Sequence, residues 1–175
     1  MKTLLIIIAI LGVAAFSLGD LNAATPLRMI GVNAGYVSPE NADGTWAIGM
    51  SFDLGIPATN FTIQPFVNYW SLSEDISGIT ADFSDWAVGA NVKFNIPTAA
   101  VSLTPYVGAG MSAHLTNAQV QSLSFDESET KFGWQVVGGL KWDSSGRWGL
   151  HGEGWYNGVE NVNHFTAMAG VHFNL

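Results

Sequence analysis

Hydrophobic and polar residues alternate along most of this chain with a period of two, which is the pattern of β-strands that have one apolar face. In residues 163–175, apolar side chains occupy every second position, and residues such as Thr166, Gly170 and His172 lie between them. Each alternating stretch is long enough to cross a bilayer as a tilted strand. The eight predicted strands cover residues 29–38, 44–54, 61–72, 83–95, 101–115, 130–142, 147–157 and 163–175.

Aromatic residues mark both ends of the apolar face. Amphipathic rings settle where hydrocarbon gives way to lipid headgroups, so two girdles of them indicate a barrel whose outside meets lipid. Because every backbone group in a bilayer must be paired, such strands have to close on themselves. The sequence therefore predicts an all-β fold, an eight-stranded antiparallel up-and-down transmembrane β-barrel. The predicted outer girdle contains Tyr36, Trp46, Tyr69, Trp86, Trp134, Tyr156 and Phe165, and the inner girdle contains Phe52, Phe61, Phe94, Trp142, Trp148 and Phe173.

A soluble ligand-binding barrel of the lipocalin type is the alternative fold. Its apolar face would surround an internal cavity, so the charged and glycine-rich face would meet solvent and the two girdles would have no role. We therefore favour the membrane barrel.

The connections between strands alternate in length. Those at 55–60, 96–100 and 143–146 are tight, whereas 73–82 and 116–129 are longer and acidic. Short turns face the periplasm and longer loops face outward in such barrels, which predicts the orientation. Pro65 and Pro105 fall inside predicted strands, so we expect a β-bulge at each.

The N-terminus has the pattern of a secretory signal, with an apolar core from Leu4 to Phe16 followed by small residues. We predict a signal peptide over residues 1–23, cleaved after Gly19 or Ala23, and a barrel domain over 24–175. An uncleaved membrane helix is the alternative, but the apolar core is shorter than the roughly 20 residues needed to span.

Composition excludes several classes of function. The formal net charge of −8 argues against nucleic acid as a partner, and the absence of cysteine excludes a disulfide framework. The four histidines lack the spacing of metal ligands, so we predict no metal and no cofactor.

The polar face carries a group of charged residues that we predict to point into the barrel. An eight-stranded barrel is just wide enough to be filled by side chains, so these charges should pair with one another. Such a cluster is either a structural core or a gate that opens a narrow ion path when its members exchange partners. Its predicted members are Asp53, Lys93, Lys141, Arg147 and Glu153.

Four aromatic residues also fall on the inward face: Phe66, Trp70, Tyr106 and Trp155. They could line an apolar mouth for a hydrophobic ligand, or simply fill space.

Two pairs could supply parts of a nucleophile and base arrangement, Ser112 with His114 and His151 with Glu153. Such residues two positions apart on a strand are common by chance, and both pairs point into the lumen, away from bilayer lipid. We therefore predict no enzymatic activity.

Most carboxylates cluster in or beside the predicted outer loops. They form either a solvated surface or a site where divalent cations bridge them to each other or to lipopolysaccharide. They are Glu40, Asp43, Glu74, Asp75, Asp82, Asp85, Asp126, Glu127, Glu129 and Glu160.

The segments Thr104–Gly110 and Gly133–Gly139, with the closing strand, give the chain a resemblance to small bacterial outer-membrane β-barrels of the OmpA-transmembrane-domain, OmpX and opacity-protein kind. The resemblance implies a monomer in the bacterial outer membrane, in contact with its lipids and lipopolysaccharide and inserted by the outer-membrane assembly machinery. We expect a structural or surface-interaction role with a polar, plugged lumen. The alternative is a narrow gated channel or a transporter of small hydrophobic molecules.

Overall fold

The structure, a computed structural model, describes residues 27–40, 43–56, 59–76, 79–99, 102–120, 125–144, 146–160 and 163–175. The predicted signal peptide and its cleavage sites lie outside these residues. The strands are β1 Leu27–Pro39, β2 Thr45–Gly55, β3 Phe61–Ile76, β4 Ile79–Asn95, β5 Leu103–Val120, β6 Phe125–Asp143, β7 Trp148–Val159 and β8 His164–Asn174.

The eight strands form one closed antiparallel barrel in which each strand pairs with its neighbours in sequence, as predicted. Closure is made by β1 and β8, which pair without interruption from Met29 with Asn174 to Pro39 with His164. Within the described ranges, no helix is long and apolar enough to cross a membrane.

Two hairpins are longer than the sequence pattern predicts. Residues 73–82 and 116–129, expected to be loops, belong largely to strands, and β3 and β4 pair as far as Ile76 with Ile79. The prediction failed because alternation marks only the part of a strand that has one apolar face. Beyond the girdle the outward face is polar as well, while the backbone ladder continues.

Neither proline produces the predicted bulge, since the register is unbroken on both sides of each. Around Pro65, β2 pairs with Ile63 and with Phe66 in the same register, and no ladder pair is formed between them. Pro105 lies just beyond Tyr106, where the pairing of β5 with β4 stops. Each proline therefore lies where its missing N–H costs the sheet no backbone hydrogen bond.

All thirteen predicted girdle residues point away from the lumen, and their side chains are exposed or half-buried. Ring contacts join members of the same predicted girdle: Tyr36 with Trp46 at 6.1 Å between ring centroids, Tyr69 with Trp86 at 4.7 Å, Trp134 with Tyr156 at 5.8 Å, Phe61 with Phe94 at 5.2 Å and Trp142 with Trp148 at 5.9 Å.

Ala169 provides a test of the lipid-facing surface. It points outward on β8, midway between Phe165 of the outer girdle and Phe173 of the inner one. We expect Ala169→Arg to lower the free energy of unfolding in lipid bilayers by about 2–4 kcal/mol, because it places a cation at the bilayer midplane. Ser38→Arg, on the outward face beyond Tyr36, is the control and should cost about 0–1 kcal/mol. Denaturant titration followed by tryptophan fluorescence measures both; equal costs would contradict the predicted membrane position.

Candidate functional site: the barrel lumen

A buried ion pair lies in the half of the lumen that is nearer the short turns and is predicted to face the periplasm. Lys93 Nζ of β4 lies 3.0 Å from Glu153 Oε2 of β7, and both side chains are almost fully buried. Tyr106 of β5 donates its hydroxyl hydrogen to the same carboxylate oxygen at 2.7 Å, and its ring centroid lies 4.1 Å from Lys93 Nζ. The cation is therefore held by a carboxylate and by the face of an aromatic ring.

Gly139 on β6 makes this arrangement possible. It pairs with Tyr106 on one side and with Glu153 on the other. A Cβ atom at this position would lie 2.6 Å from the Tyr106 hydroxyl oxygen and 2.5 Å from the carbonyl oxygen of Gly152. The missing side chain lets Tyr106 reach across β6 to the carboxylate.

The other predicted members of the charge cluster lie in different surroundings. Asp53 is buried and Lys141 is half-buried, and both border a cavity of about 10 Å³ that Lys93 also lines. Arg147 is exposed in the turn before β7, so the prediction that it points into the barrel is wrong. Strand alternation was extended to it, although β7 begins one residue later, at Trp148.

Two histidines lie toward the end of the barrel that carries the short turns. His172 Nε2 is 2.9 Å from Asp143 Oδ1, which also accepts a hydrogen bond from Asn174 at 3.1 Å. His151 stacks against His172 with ring centroids 5.8 Å apart, and neither of its nitrogens has a hydrogen-bond partner among the described residues. His151 and Glu153 are therefore not joined by a hydrogen bond, as the nucleophile and base arrangement considered from the sequence would require.

A chain of buried polar side chains crosses the lumen above the ion pair. Its distances are 2.8 Å from Asp85 Oδ2 to His114 Nδ1, 2.9 Å from His114 Nε2 to Ser112 Oγ, 3.0 Å from Ser112 Oγ to Gln135 Oε1, 2.9 Å from Gln135 Nε2 to Asn91 Oδ1 and 3.4 Å from Asn91 Nδ2 to Gln64 Oε1. It joins β3, β4, β5 and β6.

Asp85 is the member of this chain that sequence reasoning missed, because it was grouped with the acidic outer loops. It is 1% exposed and pairs with His114 inside the barrel. Asp85 stands an even number of residues from Lys93 on β4, so the alternation that placed Lys93 inside would have placed Asp85 there as well.

Asp85, His114 and Ser112 are joined in the order of a hydrolase triad, but the hydroxyl hydrogen of Ser112 is donated elsewhere. A serine hydroxyl has one hydrogen to donate. With the amides oriented as in the structure, Gln135 presents its oxygen to Ser112, so that hydrogen goes to Gln135. The serine hydrogen is therefore not directed to His114 Nε2, as a nucleophile and base arrangement would require.

The four inward aromatic residues are enclosed within the barrel. Phe66 and Trp155 stack edge to face at 4.6 Å between ring centroids and form one apolar cluster with Tyr106. Trp70 belongs to a second cluster with Val37 and other residues. Phe66, Trp70 and Trp155 border a cavity of only about 20 Å³, which is room for a single water molecule. Among the described residues, no group of three or more His, Asp or Glu side chains could hold a metal ion.

The buried ion pair gives a prediction about stability. Lys93→Met leaves Glu153 charged and unpaired, so we expect a loss of about 3–5 kcal/mol in the free energy of unfolding. The double variant Lys93→Met/Glu153→Gln should recover most of the loss, because no uncompensated charge remains. Lys141→Met is the control at a half-buried lysine and should cost about 1 kcal/mol or less. Additive losses in the double variant would contradict the pairing.

The polar chain gives a second prediction. We expect a fluorophosphonate probe to leave Ser112 of the folded barrel unlabelled, because its hydroxyl hydrogen goes to an amide. Ser112→Ala should cost about 1–3 kcal/mol, since it leaves buried partners of Ser112 without a hydrogen bond. Covalent labelling that disappears in Ser112→Ala would instead show an activated nucleophile.

Solved structures share this fold. One of the similar structures is Neisserial surface protein A, with a TM-score of 0.72 and 17% identity, and the match covers 86% of this chain and 99% of that one. Another is the N-terminal β-barrel domain of Pseudomonas aeruginosa OprF, with a TM-score of 0.56 and 15% identity, and the match covers 85% of this chain and 98% of that one. The outer-membrane enzyme PagL has a TM-score of 0.54 and 14% identity, and the match covers 83% of this chain and 99% of PagL. At these identities the likeness concerns the fold alone.

Among curated proteins, none matches this chain by sequence. A family model described as the outer membrane protein beta-barrel domain matches residues 5–174. This match includes every strand of the closed barrel. The chain therefore belongs to the outer membrane protein β-barrel family and is a protein of the bacterial outer membrane.

Proposed function

We propose that this protein is a non-enzymatic, closed outer-membrane barrel that contributes to the structure of the envelope and interacts with other molecules through its outer surface. The observation that carries the proposal is the filling of the lumen. Aromatic clusters, a polar chain and an ion pair occupy the lumen, and two cavities among them measure about 20 and 10 Å³. Neither holds more than about one water molecule, which supports a lumen plugged by side chains.

The outer surface supports an interaction role. Glu40, Asp43, Glu129 and Glu160 are exposed at the outer ends of the strands. Their carboxylates favour divalent cations, which would bridge them to anionic lipopolysaccharide. Because the barrel is closed within the membrane, it needs no partner to cover a strand edge there, which favours a monomer delivered by the outer-membrane assembly machinery.

A gated ion path is the second candidate, and Asp53 is the observation that favours it. Asp53 Oδ1 is buried without a hydrogen-bond partner among the described residues, and Asp53 lines the same small cavity as Lys93. Lys93 could exchange Glu153 for Asp53, which would loosen the ion pair. Transport of hydrophobic molecules has less support, because the enclosed aromatic clusters leave no space for such a ligand.

Planar bilayers test the two candidates. We expect purified protein to show no sustained unitary conductance, because a lumen plugged by side chains would hold no continuous water-filled path. Asp53→Asn should leave the bilayer equally silent, as should the control Asp43→Asn on the outer surface. A porin reconstituted in the same lipid verifies that the assay detects open barrels. Regular unitary currents that change in Asp53→Asn but not in Asp43→Asn would support the gate and overturn the closed barrel.

A further inference from the structure

A polar groove lies on the outward face of the barrel, just beyond the outer girdle. It has a volume of about 630 Å³ and is formed by the long hairpins β3–β4 and β5–β6. Its lining residues are Tyr69, Ser71, Ser73, Asp82, Phe83, Ser84, Asn117, Gln119 and Ser128. Most of them are small hydroxyl or amide side chains.

Strand register determines how high this groove stands above the membrane. Tyr69 pairs with Trp86 in the outer girdle. One row further out, about 7 Å along the strands, the paired residues are Ser71, Ser84, Asn117 and Ser128. The row after that contains Ser73, Asp82 and Gln119. The groove therefore begins where lipid headgroups begin, and it faces sideways into the outer leaflet.

The chemistry of the lining selects among the groups present at that level. It contains no lysine or arginine, so it offers no cation to a phosphate. Hydroxyl and amide groups both donate and accept hydrogen bonds, and the Asp82 carboxylate, already bonded to Ser73 at 2.6 Å, accepts them. Tyr69 adds an aromatic ring at the membrane edge of the groove. This combination matches the hydroxyl groups and apolar ring faces of a sugar.

We propose that this groove binds the core saccharide of lipopolysaccharide in the surrounding outer leaflet. The inference rests on the surface-interaction role proposed above. A sugar attached to a membrane-embedded lipid is the occupant that the position favours, because the groove opens toward neighbouring lipids and adjoins the aromatic girdle. Its acyl chains would pack against the girdle while its saccharide fills the groove.

The test compares two lipids that differ only in the saccharide. Folded protein in detergent micelles is titrated with lipopolysaccharide that carries a core and with lipid A alone, and binding is measured by native mass spectrometry. We expect about tenfold tighter binding of the core-bearing lipid. Ser71→Ala/Asn117→Ala should lose most of this difference, because two hydrogen-bonding side chains are removed.

The chain offers a matched control. Ser38 is an exposed serine two residues beyond Tyr36 on β1, as Ser71 is two residues beyond Tyr69 on β3, and Asn60 is exposed in a periplasmic turn. Ser38→Ala/Asn60→Ala should retain the full preference. Heat-modifiable migration on gels verifies that each variant is folded, and Gln119→Ala replaces the double variant should that one fail to fold.

Equal affinity for the two lipids would overturn the proposal, as would an unchanged preference in the groove variants. A soluble core oligosaccharide that binds as tightly as the complete lipid would also overturn it, because the membrane would then contribute nothing. Conductance in the planar bilayer test concerns the lumen and leaves this result unaffected, so the two proposals fail separately.

Discussion

Closure of the backbone ladder is the constraint on which the rest of this structure depends. A bilayer offers no water to an unpaired N–H or C=O, so β8 must pair with β1 along its length. Once the cylinder is closed, every second side chain must enter an interior that is barely wide enough to hold it. The remaining side chains face lipid, where their size and hydrophobicity are the main properties that matter.

Closure of the barrel buries polar side chains in its interior. Polar residues enter it in number, and each must find a partner inside because water has little room. The structure meets part of this demand with linked side chains from different strands, such as Lys93, Tyr106 and Glu153. Other polar atoms, such as Asp53 Oδ1, are buried without a hydrogen-bond partner among the described residues. Small residues make the links possible: Gly139 stands between Tyr106 and Glu153 and leaves the space through which they meet. Glycine on the inward face thus leaves the space that polar side chains need to reach one another.

Alternation in the sequence was sufficient to predict the closed antiparallel barrel and the outward position of the girdle residues, because the bilayer imposes a period of two. Alternation was insufficient in segments that do not have lipid on one side and the lumen on the other. The outer parts of β3 to β6 extend beyond the girdle and have no apolar outward face, so they resemble loops in sequence while continuing as strands. Arg147 lies in a turn, where alternation has no meaning. Asp85 was assigned by its acidity when its position on β4 already indicated the interior. Partner choice, such as Glu153 for Lys93, depends on register and on reach across a missing side chain, neither of which a single sequence specifies.

The separation of the ion pair along the chain has a consequence for how the barrel assembles. Lys93 and Glu153 are 60 residues apart, on β4 and β7, and they meet through the lumen instead of across a shared ladder. Hairpins between neighbouring strands can form early, because they close short loops, whereas contacts of such long range come late. Until the sheet curves into a cylinder, both charges remain hydrated on an open surface. Completion of the barrel and expulsion of water from its centre should therefore be one event, with the ion pair formed only at the final step of folding.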